Sequence, residues 1–172
     1  MAHYTVTFSC GHTETIQLFG KIADRERRIA WLENNGVCSE CYRKAQAEQR
    51  ARATAEAAEA TADLPQLQGT EKQIAWATVI RAKAAALGQA PIRAYMENIL
   101  AGIHADNPQQ YSRIMERLKV ICADRHFDGV MDIYRQHVAM HDDCRYWIDS
   151  RDLQPRTLVE EIIAELSADD QE

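Results

Sequence analysis

Four side chains near the N-terminus restrict this sequence more than any others do: Cys10 and His12, one residue apart across Gly11, and Cys38 and Cys41, two residues apart. Two residues between thiolates is the spacing at which both sulfurs converge while neighbouring backbone amides point at them. A Cys-Gly-His turn at a hairpin tip does the same, because glycine accepts the tight backbone. Zinc in a structural site takes four such soft or borderline ligands in a tetrahedron. The twenty-five residues between the two pairs hold enough chain to return to one point, and residues 1–44 hold little apolar material for a core of their own. A small module of this kind needs a staple. The expectation is one structural Zn2+ on Cys10, His12, Cys38 and Cys41, His12 being the weakest ligand and His3 the only other histidine nearby.

The residues around these ligands give the module its form. Tyr4-Thr5-Val6-Thr7-Phe8 and Thr15-Ile16-Gln17-Leu18-Phe19 alternate and are rich in β-formers, with the glycine-containing turn between them. That is a hairpin. Asp24 to Asn34 reads as a short helix with Ile22, Ile29 and Leu32 on one side and Gly36 just past its end. The redox reading of Cys38-x-x-Cys41 is disfavoured, because no thioredoxin-like strand precedes it.

Beyond Cys41 the pattern changes. Nine of the eighteen residues 45–62 are alanine, which favours helix but offers no large apolar stripe. This stretch, ended by Leu64-Pro65 and Gly69, reads as an exposed connecting helix. Thr70-Glu71-Lys72-Gln73 then has the form of a capping box opening a helix through Leu87. Pro91 starts another, to about Ala105. Asn107-Pro108-Gln109-Gln110 starts a third, which places Tyr111, Ile114, Met115, Leu118, Ile121 and Cys122 on one face. Phe127, Val130, Met131, Tyr134, Val138 and His141 form the stripe of the next. Leu158, Val159, Ile162, Ile163 and Leu166 form that of a last helix opened by Pro155. No strand signal follows residue 20. The fold class expected is mainly α: a zinc-binding ββα module over 1–44, an alanine-rich connecting helix over 45–68, and a helical bundle over 69–172.

Charge and cysteine count bear on the setting. The net charge of −6 is uneven: residues 1–52 carry eight Lys/Arg against six Asp/Glu, residues 53–172 twelve against twenty. A weakly basic head on an acidic body is not the strong basic surface of a general nucleic-acid binder. No run approaches the eighteen or so apolar residues needed to span a bilayer, and MAHYTVTFSC lacks the form of a secretory signal. The expected compartment is the cytoplasm, where thiols stay reduced and five cysteines read as ligands or core residues.

A second set of metal-type residues lies in the body: Cys122-x3-His126 and His137-x3-His141-x2-Cys144. Spacing of four puts both members of a pair on one helix face. Cys122, His137 and His141 also lie on apolar stripes, where cysteine and hydrogen-bonded histidine are ordinary core residues, and the packing reading is the stronger one. No H-E-x-x-H, GxGxxG, phosphate loop or G-x-S-x-G occurs. Cys144 with His141 reads as packing rather than as nucleophile and base. Trp31, Trp76 and Trp147 read as core aromatics, the usual role at helical spacing, with a binding surface as the alternative. Arg25, Arg27, Arg28, Arg43, Lys44, Arg50 and Arg52 read as a solvated face that a phosphate could touch.

The C-x-H…C-x-x-C arrangement is similar to the ligand set of the second zinc site of RING-type fingers. The cysteines of a first site are missing, so ubiquitin-ligase chemistry does not carry over. Phe8-x-Cys10-Gly11-His12, Cys38-x-x-Cys41-Tyr42, the run from Gly69 to Ala77 and Tyr146-Trp147-Ile148-Asp149-Ser150-Arg151 resemble a group of small proteins of phage and other mobile elements of bacteria. That resemblance implies a bacterial or phage setting and brings no activity with it. The function expected is therefore non-enzymatic: a zinc-stapled protein that binds a macromolecule, first a protein partner, such as a host nucleic-acid machine it modulates or inhibits. The alternative is a nucleic-acid-binding regulator acting through the basic head.

Overall fold

In the computed structural model, which describes residues 2–123, 125 and 127–168, the chain is mainly helical with one small hairpin at its N-terminus. It divides into two compact units, Met1–Ala53 and Thr54–Glu172. The division falls inside the alanine-rich stretch.

The first unit, the head, opens with β1 (Ala2–Thr7) and β2 (Thr13–Leu18), paired antiparallel so that Tyr4 faces Ile16 and Val6 faces Glu14. Alternation decides which face is covered: Val6 is fully buried and Tyr4 and Ile16 partly so, while Thr5 and Thr15 pair their hydroxyls on the exposed face. Helix α1 (Ile22–Asn35) lays Leu32 and Ile29 on this sheet. Ile22, expected beside them, is instead exposed, because it is the first residue of the helix, a full turn and more from the contact. Among the described residues, the buried core of the head is Val6, Phe8, Leu32 and Cys38.

Helix α2 (Ser39–Ala60) starts at Ser39, six residues before the alanine-rich stretch. The cause is a cap from elsewhere in the chain. The Glu14 carboxylate accepts the Ser39 backbone N–H at 3.0 Å and also the Ser39 hydroxyl. These bonds satisfy the helix start and favour negative charge there. They also hold the Glu14 carboxyl below its ordinary range, the Ser39 hydroxyl contributing most.

The second unit, the body, contains α3 (Glu71–Ala85), α4 (Gln89–Asp106), α5 (Pro108–Cys122), α6 (Asp128–Met140), α7 (Cys144–Asp149) and α8 (Arg156–Ser167). The two N-terminal signatures form as the sequence implies. The Thr70 hydroxyl accepts from Gln73 N while Gln73 Oε1 accepts from Thr70 N, and Asn107 Oδ1 accepts from Gln110 N at 3.1 Å. Helix α8 is the centre of the bundle, packed on α4, α5 and α6, and all five of its expected inward residues are buried. Helix α7 carries no long stripe and is not foreseen from the sequence. Asp143 caps it by accepting from Arg145 N, and it delivers Trp147 to the core, where the indole N–H donates to the His141 carbonyl at 2.8 Å. Gln68 bonds across to Asp142 and Cys144 through its backbone, so α7 starts against the segment just before α3.

Candidate metal centre

The hairpin tip and the start of α2 bring Cys10, His12, Cys38 and Cys41 together, with one ligand atom from each lying within 4.8 Å of all the others. Several local bonds set this arrangement. Gly11, at φ +79°, turns the chain so that its N–H reaches the Phe8 carbonyl, and Phe8 N–H reaches the His12 carbonyl at 2.9 Å. Ser9 ties that turn to the loop after α1: its N–H and its hydroxyl both donate to the Gly36 carbonyl, at 3.0 and 2.7 Å. The loop therefore sets Cys38 beside Cys10.

The bonds to sulfur are those of a knuckle. Cys38 N–H points at Cys10 Sγ from 3.4 Å, and Cys41 N–H at Cys38 Sγ from 3.3 Å. His12 Nδ1 lies 3.3 Å from Cys41 Sγ. A tetrahedral zinc with Zn–S near 2.3 Å and Zn–N near 2.0–2.1 Å has ligand-to-ligand edges of roughly 3.5–3.8 Å. The His12–Cys41 spacing is close to such an edge. The four residues are thus compatible with a metal site.

Their electrostatics agree. The backbone amides of Cys38 and His12 and the His12 ring hold the Cys10 thiol down at about 6. Cys41 is pushed up to about 11, first by its hydrogen bond with Cys38, then by partial burial and by Cys10. A dication held among these sulfurs would favour their thiolate forms.

Other residues singled out in the sequence are distributed differently. All five cysteines are unpaired thiols. Cys144 does not join His137 and His141. It is buried at the start of α7 against Gly69, while Cys122 packs at the edge of the body core. The group that forms is His137, His141 and Glu161, the carboxylate coming from α8. His126 lies outside the described residues. Of the tryptophans only Trp147 is core, whereas Trp31 and Trp76 are half exposed. The basic residues of the head are largely engaged within it. Arg27 pairs with Asp24 at 2.5 Å, Arg43 Nε donates to the Ser39 carbonyl, and Arg25 and Arg28 lie over the rings of Tyr4 and Trp31. No helix among the described residues is long and apolar enough to cross a membrane. Compared with family models, with curated proteins and with solved structures, the chain matches none.

Proposed function

We propose that the head is a zinc-stapled docking module and that the protein acts by binding another protein, without catalysing a reaction. One structural Zn2+ on Cys10, His12, Cys38 and Cys41 holds the module's shape. The observation that carries the docking reading is an inversion of the usual economy of a small fold. The head buries four residues in its core, yet Phe19, Ile22, Trp31, Val37 and Tyr42 are exposed large hydrophobics within the same fifty-three residues. The Arg28 guanidinium sits 4.8 Å from the centroid of the Trp31 ring. Exposed tryptophan, tyrosine and arginine are the residues that carry most binding energy at protein interfaces. The engagement of Arg25, Arg27, Arg28 and Arg43 inside the head argues against a phosphate-binding face, and the acidic body would repel nucleic acid. A reducing compartment such as the cytoplasm suits the free thiols. In the phage or mobile-element setting that the sequence resemblance implies, the partner is a host protein, such as a component of a nucleic-acid machine that the complex modulates.

The test is site-directed photocrosslinking in cells, with the probe at Trp31 or Tyr42 and a control probe at Val120, which is 78% exposed on the body. A discrete protein adduct from the head positions and none from Val120 is expected. Adducts to nucleic acid from Trp31, or head positions that behave like the control, would overturn the reading.

A further inference from the structure

The body holds a second cluster of metal-type donors, independent of the head. His137 lies in the last turn of α6 and His141 is the residue that caps its C-terminus, while Glu161 and Glu165 are one turn apart on α8, which packs against α6. The two imidazoles converge on a single oxygen. Glu161 Oε2 lies 2.7 Å from His141 Nε2 and 3.6 Å from His137 Nδ1. A tetrahedral zinc with bonds of about 2.0–2.1 Å requires donor-to-donor edges of roughly 3.3 Å, and the two observed spacings bracket that value.

Each of the three donors is also oriented by a second group. Glu165 Oε2 sits 2.8 Å from His137 Nε2, a contact that would hold the proton on Nε2 and leave the Nδ1 lone pair, on the side of Glu161, for a metal. The Tyr146 hydroxyl donates to Glu161 Oε1 at 2.9 Å, which leaves Oε2 as the free donor. The Tyr146 ring stacks on the His141 imidazole at 3.6 Å with the planes 2° apart. A simple ion-pair latch between α6 and α8 would pair each histidine with its own carboxylate. Here His137 spends one nitrogen on Glu165 and still turns the other to the oxygen that His141 already contacts.

We propose that His137 Nδ1, His141 Nε2 and Glu161 Oε2 form a binding site for a divalent first-row transition metal ion of the zinc or cobalt class. Glu165 and Tyr146 are its orienting residues. Two imidazoles and one carboxylate are too soft a set for calcium or magnesium and suit these borderline ions. Three protein ligands leave one position for water, and the exposed Glu165 side chain marks the way in from solvent. Sequence spacing alone suggests cysteines as the partners of this histidine pair; the fold supplies carboxylates instead.

Cobalt titration of the full chain tests the site, because thiolate ligation in the head gives a charge-transfer band and a His2Glu site does not. One further equivalent of Co2+ is expected, with ligand-field bands and no added thiolate band. Cys38→Ser should leave this equivalent in place. Glu161→Gln, which keeps shape and volume, and His141→Asn, at a partly exposed ring, should each weaken it at least tenfold without changing the helical circular dichroism or the metal content of the head. Failure of the parent chain to take up the further equivalent would overturn the assignment. So would parental affinity in either folded variant. If either variant unfolds the body, Tyr146→Phe replaces it and is expected to weaken binding about tenfold, the lower end for loss of an orienting partner; parental affinity there also overturns the site.

Discussion

The head and the body solve the same problem by different means. The body gathers nineteen buried apolar residues from all of its helices into one core, and its polar contacts decorate a structure already held by burial. The head buries four, one of which is a candidate metal ligand, and spends its remaining large apolar side chains on the surface. A unit of about fifty residues that buries so few side chains removes little apolar area from water to set against the entropy of its chain. Structural zinc contributes on the order of 10 kcal/mol to small finger domains. On the proposed reading, the head can expose its hydrophobic residues because a metal, and not a core, holds it.

That contrast predicts where damage stays and where it spreads. The heaviest effect is expected at Cys38→Ser, which removes a candidate ligand and a core residue together. The head should unfold and lose its metal while the body persists, seen by limited proteolysis as a protected fragment beginning within residues 54–64. Disappearance of every protected fragment would mean that the two units fold only together. In the body, Trp147→Ala should cost about 3–5 kcal/mol, the usual range for emptying a large aromatic site in a core. Thermal denaturation should show a lowered body transition with the zinc content of the head unchanged.

The candidate ligands of the head are legible from sequence because their spacing is a local property: Gly11 and the two-residue gap between Cys38 and Cys41 fix geometry within a few residues. The caps at Thr70 and Asn107 are legible for the same reason. Contacts between distant segments are not. Glu14 moves the start of α2 forward to Ser39 by a bond across twenty-five residues, and no pattern near Ser39 announces it. Helix α7 is too short to show a periodic stripe, although Asp143 as a cap before the Tyr146-Trp147 pair is a signal in hindsight. His137 and His141 declare themselves as a pair, but which helix faces them depends on the packing of α6 on α8. The cysteines nearby in sequence point elsewhere, Cys144 into its contact with Gly69.

That contact gives a milder test of the body. A Cβ at Gly69 would stand 2.9 Å from Cys144 Sγ and 3.0 Å from its Cβ. Gly69→Ala should therefore destabilise the body by about 1–3 kcal/mol through overpacking, added to the strain of a side chain at φ +159°. Denaturant titration would read this as a lower midpoint at unchanged slope, and relief by the smaller Cys144→Ala partner would identify the clash as the cause. The smallest effect belongs to Thr70→Ala, which removes one half of the capping box and should cost about 1 kcal/mol. Hydrogen exchange should show it first in the opening turn of α3, with the head unaffected.

The central claim, that a metal and not a core holds the head, is met most directly by metal analysis coupled to a structural readout. Protein purified without added metal would be compared with Cys38→Ser for zinc content, and its hairpin amides followed by NMR as a strong chelator is added. The account predicts one equivalent of zinc that the variant lacks, and collapse of the hairpin signals on chelation while those of α8 remain. A head that keeps its dispersed hairpin signals with no metal bound would contradict it.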